Sequence, residues 1–167
     1  MQKEAFISLA LSYLNFPAAN YKGPDEWCDI DGFDCSGFIN FLLKKAEYPE
    51  PIPRHANELF DSFGILIHEQ FRSAGDLVFF SNRGGTYPSH VGIMISQDEY
   101  IHSPERNGKN ICLNKFKPEI IIPRGKAPQI YFSNPIGFKR MTVNNGRYKQ
   151  MLLCDWGNND IDKHPKK

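Results

Sequence analysis

Ser89-His90-Val91-Gly92-Ile93-Met94-Ile95-Ser96-Gln97-Asp98-Glu99-Tyr100-Ile101-His102-Ser103 decides the fold. Two runs of β-branched and aromatic residues flank a polar centre, which is how two antiparallel strands joined by a short loop are written. His90 and His102 lie an even number of residues apart. An odd-length loop centred near Ser96 would pair them directly, set Val91 against Ile101 and put both imidazoles on one face, with Cβ atoms about 5 Å apart. A two-residue loop at Gln97-Asp98 would put them on opposite faces.

Strand character continues on both sides of this pair. Residues 75–80, 90–96, 99–103, 110–113, 120–122 and 129–132 have it, 136–142 adds another candidate, and Gly or Pro separates several of them. The N-terminal third reads differently. Ala5, Phe6, Leu9, Ala10 and Tyr13 recur at helical spacing over 3–13, and Asn15-Phe16-Pro17 stops the pattern. The stretch 18–33 has no periodicity and reads as an irregular segment shaping a surface. Cys35, Phe38, Ile39, Leu42 and Leu43 restart the three-four spacing to about residue 46, which makes a second helix with Cys35 in its first turn. Pro51-Ile52-Pro53-Arg54 is extended, and a short third helix runs from Ala56 to about Phe63. Helices first and strands afterwards predict an α+β fold, N-terminal helices packed on a mainly antiparallel sheet.

Composition narrows the partners. Lys and Arg total 20 against 19 for Asp and Glu, so there is no basic field to draw in nucleic acid or an anionic membrane. No apolar run approaches the roughly 20 residues that span a bilayer. The N-terminus carries Glu4 and soon meets Asn15 and Pro17, which makes a poor Sec-type signal. The expectation is a cytoplasmic protein as encoded, with export by another route open. Cys28, Cys35, Cys112 and Cys154 contain no C-x-x-C pair, so neither a structural zinc site nor a redox couple is indicated, and free thiols are expected. No metal and no organic cofactor is implied.

The candidate chemistry is nucleophilic. A thiol attacks a carbonyl as thiolate, so it needs an imidazole within hydrogen-bond reach, and that imidazole needs a partner for its other nitrogen. A helix N-terminus favours the thiolate through its N–H groups and dipole, which suits Cys35. His90 and His102 supply the other two parts in order. Elsewhere the bland reading stands: Asp76 is a turn or strand-start residue, Arg54 an ion-pair partner or a substrate contact, Cys28 a spectator thiol, and His55, His68 and His164 have no motif behind them.

Four motifs in order carry a resemblance: Asp34-Cys35-Ser36-Gly37-Phe38, Gly75-Asp76-Leu77-Val78-Phe79-Phe80, Ser89-His90-Val91-Gly92-Ile93 and Ile101-His102. Across roughly residues 10 to 140 the chain resembles the NlpC-type family of papain-like cysteine peptidases, which act on the bacterial cell wall. The resemblance implies a papain-like fold, with residues 1–156 as one cysteine peptidase catalytic domain and 157–167 as a polar tail. It implies hydrolysis of an amide in peptidoglycan stem peptides or their soluble fragments, commonly between γ-D-glutamate and the diamino acid, through a thioester. Cys35 is then the nucleophile, His90 the general base and His102 the group that orients it. Tyr21 matches a tyrosine near the substrate and the oxyanion, and Asp34 and Ser36 match residues that help bind the free amine end of the stem peptide.

The chain departs from the family pattern at Lys22-Gly23-Pro24, where an aromatic and paired glycines are usual, and in a longer 109–134 segment. Alternatives on the same scaffold are a cysteine- and histidine-dependent amidase, an acyltransferase, or a peptide-binding module without catalysis. The intact Cys35, His90 and His102 speak against the last.

Overall fold

The apolar spacing of the N-terminal third folds as three helices: α1 (Lys3–Leu11), α2 (Cys35–Lys45) and α3 (Ala56–Ser62). Asp34 fixes where α2 begins, because its backbone is extended and its carboxylate accepts the Gly37 N–H at 2.6 Å, as an N-cap does. Cys35 is therefore the first residue of the helix. The computed structural model describes residues 3–21, 32–81, 87–104, 108–116, 135–144 and 149–152. The strands expected at 120–122 and 129–132, the tail from 157, Cys28, Cys154 and His164 lie outside the described residues.

Six strands, β1 (Ile65–Ile67), β2 (Leu77–Phe80), β3 (His90–Met94), β4 (Glu99–His102), β5 (Cys112–Lys115) and β6 (Gly137–Arg140), form one sheet. Their order is β1-β6-β2-β3-β4-β5, and every pairing is antiparallel. A separate ribbon pairs β7 (Thr142–Asn144) with β8 (Lys149–Leu152). This is the α+β, mainly antiparallel architecture that the order of helical and strand patterns predicts.

Alternation splits the sheet into two faces. Leu77, Phe79, Val91, Ile93 and Ile101 join Phe38, Ile39, Leu42 and Leu43 of α2 in the main core. Val78, Phe80, Met94 and Tyr100 form a second cluster with Phe138. Both clusters are closed to solvent, so the central strands read as continuous apolar runs rather than as half-exposed ribbons.

The β3–β4 register corrects one expectation. Ile93 faces Ile101 and Met94 faces Tyr100, so the loop is centred on Gln97, not Ser96, and His90 is not directly opposite His102. The cause lies in Ser96, whose hydroxyl accepts the Asp98 and Glu99 N–H groups at 3.3 and 3.1 Å. Ser96 thus starts the turn instead of sitting at its apex. A shift by two keeps the parity, so both histidines remain on one face, related diagonally.

β1 forms on the apolar triplet Ile65-Leu66-Ile67, which is too short to show a strand period. Its pairing partner is β6, far downstream, and Gly64 enters it at φ 67°. A Cβ at Gly64 would lie 2.3 Å from the Arg140 carbonyl oxygen, so glycine lets the two backbones approach. Arg140 also reaches Asp76 at the start of β2, Nε to Oδ1 at 2.8 Å and Nη2 to Oδ2 at 2.9 Å, and this pins β6 between its neighbours.

Candidate active site

Antiparallel pairing gathers the polar chemistry at one end of the sheet. β2 ends there with Phe80, β3 begins with His90, β4 ends with His102 and β5 begins with Cys112. His90 and His102 are fully buried, and Nε2 of His90 lies 2.7 Å from Nδ1 of His102 with the rings perpendicular at 89°. Gly92, which that register sets opposite His102, makes room for the diagonal contact. A Cβ at Gly92 would come within 3.2 Å of the His102 Cβ and 3.0 Å of both the Tyr100 ring and the Ile101 carbonyl oxygen.

The far side of His102 is also furnished. Its Nε2 lies 3.1 Å from Nδ2 of Asn114 and 3.6 Å from Sγ of Cys112, both from β5, and the Tyr100 ring is 5.2 Å away. Burial pushes the His102 pKa well below the usual imidazole value, and the charge on His90 pushes it the same way. The neutral form of His102 is therefore strongly favoured. Burial pushes the Cys112 thiol up, against the opposing pull of Lys109. Cys35 and Cys112 are thiols rather than disulfide partners.

Cys35 is buried at the start of α2, and α2 packs on β3, the strand that begins with His90. A second tie joins the same two regions. The Ser103 hydroxyl, next to His102, donates to the Phe33 carbonyl at 2.5 Å, two residues before Cys35, and the same oxygen accepts the Ala19 N–H at 2.8 Å. The end of β4 and the start of α2 are latched together by atoms 70 residues apart in sequence.

Arg54 organises the flank of Cys35. Its Nη2 lies 2.6 Å from Oδ2 of Asp34, and its Nη1 lies 3.1 Å from Oδ1 of Asp34 and 3.0 Å from the Ser36 hydroxyl. Of the two readings open for Arg54 in the sequence, the ion pair is present, with Asp34 almost wholly enclosed. The guanidinium also lies over the Tyr21 ring at 5.4 Å, and the Tyr21 hydroxyl is 3.5 Å from Nδ1 of His55. Tyr21 itself is half exposed. Burial disfavours the Arg54 charge, but the Asp34 hydrogen bond and charge, then Tyr21 and Cys35, outweigh it and raise the Arg54 pKa. Coulomb attraction is mutual, so the same cation favours negative charge at Cys35.

The structure brings His90 and His102 together, and separately Tyr21, Asp34 and Ser36 around Arg54. Asn114, Cys112, Gly92 and Ser103 gave no catalytic signal in the sequence. The only available hint was that Asn114 and Cys112 share β-strand parity with His102 once the β4–β5 register is known.

Helices leading into an antiparallel sheet, with a cysteine heading one helix and paired histidines at the sheet's end, place the chain in the class of papain-like folds. Residues 20–122 match the model of the NlpC/P60 family, and the chain belongs to that family. Murein DD-endopeptidase MepH of Escherichia coli (strain K12) is 37% identical over 89 residues, 53% of this chain and 32% of that protein. Gamma-D-glutamyl-L-lysine dipeptidyl-peptidase of Bacillus subtilis (strain 168) is 37% identical over 92 residues, 53% of this chain and 29% of that protein. The chain thus spans about a third of the length of each. The NlpC/p60 domain of peptidoglycan hydrolase SagA has the same fold, with a TM-score of 0.60 at 24% identity over 84% of this chain and 100% of that one.

Proposed function

We propose that this chain is a cysteine peptidase that hydrolyses an amide of peptidoglycan stem peptides, at the bond between γ-D-glutamate and the diamino acid, with Cys35, His90 and His102 as its triad. The observation that carries the reading is the buried 2.7 Å contact between Nε2 of His90 and Nδ1 of His102, on a sheet whose β3 packs against the helix that Cys35 heads. Family membership and the names of the two relatives support a wall peptide as substrate, and the B. subtilis name supports the γ-D-glutamyl bond.

With Nε2 engaged by His102, His90 exchanges protons with the thiol through Nδ1. Thiolate Cys35 attacks the amide carbonyl, and the oxyanion is stabilised by backbone N–H at the start of α2 with help from Tyr21. The C–N bond breaks as His90 hands its proton to the leaving amine, leaving a thioester. Water, deprotonated by His90, then attacks the thioester, and the thiol leaves with the acid as product. Asp34 already accepts from Gly37 and Arg54, so its part in holding the free amine end of the peptide rests on the acceptor capacity that remains, with Ser36 beside it.

Incubation with defined stem peptides, read by product mass, tests this directly. Release of a fragment ending in D-glutamate, absent in Cys35→Ala, is the expected result. A cut at the D-alanyl cross-link would change the bond assignment, and transfer to an added amine without hydrolysis would make the chain an acyltransferase. No turnover, with Cys35 alkylated no faster than Cys112, would make it a binding module.

A further inference from the structure

His102 has two neutral forms, and only one of them serves the proposed triad. His90 must donate from Nε2 whenever its Nδ1 takes up or holds the catalytic proton, so Nδ1 of His102 must then offer a lone pair. Neutral His102 consequently carries its hydrogen on Nε2, and that N–H needs an acceptor. The group standing there at 3.1 Å is the side-chain amide of Asn114, which bears an acceptor and a donor on equivalent arms. With the carbonyl arm toward Nε2, His102 is held in the form His90 needs. With the NH2 arm toward it, as in the present arrangement, Nε2 accepts, the hydrogen moves to Nδ1 and points at His90, and the pair idles.

Among the described residues, the other groups placed around His102 do not make this choice. His90 from β3 is the partner being served, and Tyr100 from β4 presents its ring. Cys112 from β5 is a half-buried thiol at 3.6 Å, a weak donor and a weak acceptor, with Lys109 acting on it. Asn114 stands diagonally across the β4–β5 pair from His102, on the same face. From this geometry we infer that Asn114 is a positioning residue of the triad, which selects the working form of His102 by the arm of its amide turned to Nε2.

This inference rests on the peptidase reading, and the test separates the two. Nitrogen NMR of labelled His102 in the wild-type chain, at a pH where Cys35 is ionised, should show hydrogen on Nε2; hydrogen on Nδ1 would overturn the inference whatever the activity. Asn114→Leu removes both arms and should slow Cys35 alkylation and kcat about tenfold, with KM held within about twofold. Asn114→Asp, which can only accept, should restore at least the wild-type alkylation rate. Equal losses in the two variants, or none in Asn114→Leu, would reduce Asn114 to packing. Should the wild type cut no stem peptide, the peptidase reading falls, while NMR and alkylation still decide the role of Asn114.

Discussion

Two buried carboxylates, Asp34 and Asp76, are each gripped by a bidentate arginine, and the two pairs do different jobs. Asp34 takes Arg54 at the start of α2, and Asp76 takes Arg140 at the start of β2. Each carboxylate also closes its own local turn, Asp34 accepting from Gly37 and Asp76 from Ser73. The difference is in what else the arginine touches. Arg140 gives its spare hydrogen bonds to Ser73 and to the Phe71 carbonyl, so its charge ends in the scaffold. Arg54 reaches Ser36 and the Tyr21 ring, and its charge couples to Cys35. Identical ion-pair chemistry is structural in one place and electrostatic support for a buried thiol in the other, and only the neighbours decide which.

The sharpest separation is in activity. Cys35→Ala should lower hydrolysis of stem peptides by at least about 10⁴-fold, whereas Arg140→Met should leave kcat/KM per folded molecule within about twofold. Loss of turnover in folded Arg140→Met would erase the contrast. Next in size is His102→Leu, expected to lower kcat by about 10²-fold because His90 loses its orienting partner, with circular dichroism unchanged. Stability then tests both pairs on equal terms. Arg140→Met and Arg54→Met should each cost about 3 kcal/mol in urea unfolding, since each strands a buried carboxylate. Arg54→Met alone should also slow alkylation of Cys35, about tenfold near neutral pH.

The smallest effect is a linkage to pH. The pKa of His102 is lowered by folding, so below about pH 6.5 the unfolded chain holds a proton that the folded chain does not. Stability should therefore be full above that pH and fall as pH drops toward the folded pKa, by up to about 1.4 kcal/mol per pH unit. Denaturant midpoints measured across this window should lose that slope in His102→Asn. An unchanged slope in the variant would assign it to other groups.

Much of this molecule could be read before folding. Phe38, Ile39, Leu42 and Leu43 announce α2 by spacing alone, and the parity of His90 and His102 announces a shared face, because both signals are local or nearly so. What escaped depends on distant partners. The β3–β4 offset is set by the Ser96 hydroxyl bonding two N–H groups, a choice that hydrophobic pattern does not encode. β1 exists because β6 returns to cover it, and Ile65-Leu66-Ile67 carries no period of its own. Arg54 finds Asp34 across a break between two elements, and Asn114 finds His102 only through the β4–β5 register. The candidate triad was legible as three residue types in order; the shell that orients it was not, because it is assembled by tertiary register.

The latch between Ser103 and Phe33 also has a meaning in time. A ribosome adds about 5–20 residues per second, so the segment bearing Cys35 emerges several seconds before Ser103 and the end of β4. Throughout that interval the Phe33 carbonyl, two residues before Cys35, lacks the hydroxyl that engages it in the folded protein. The start of α2 is therefore tied to the end of β4 only after the sheet has been synthesised that far.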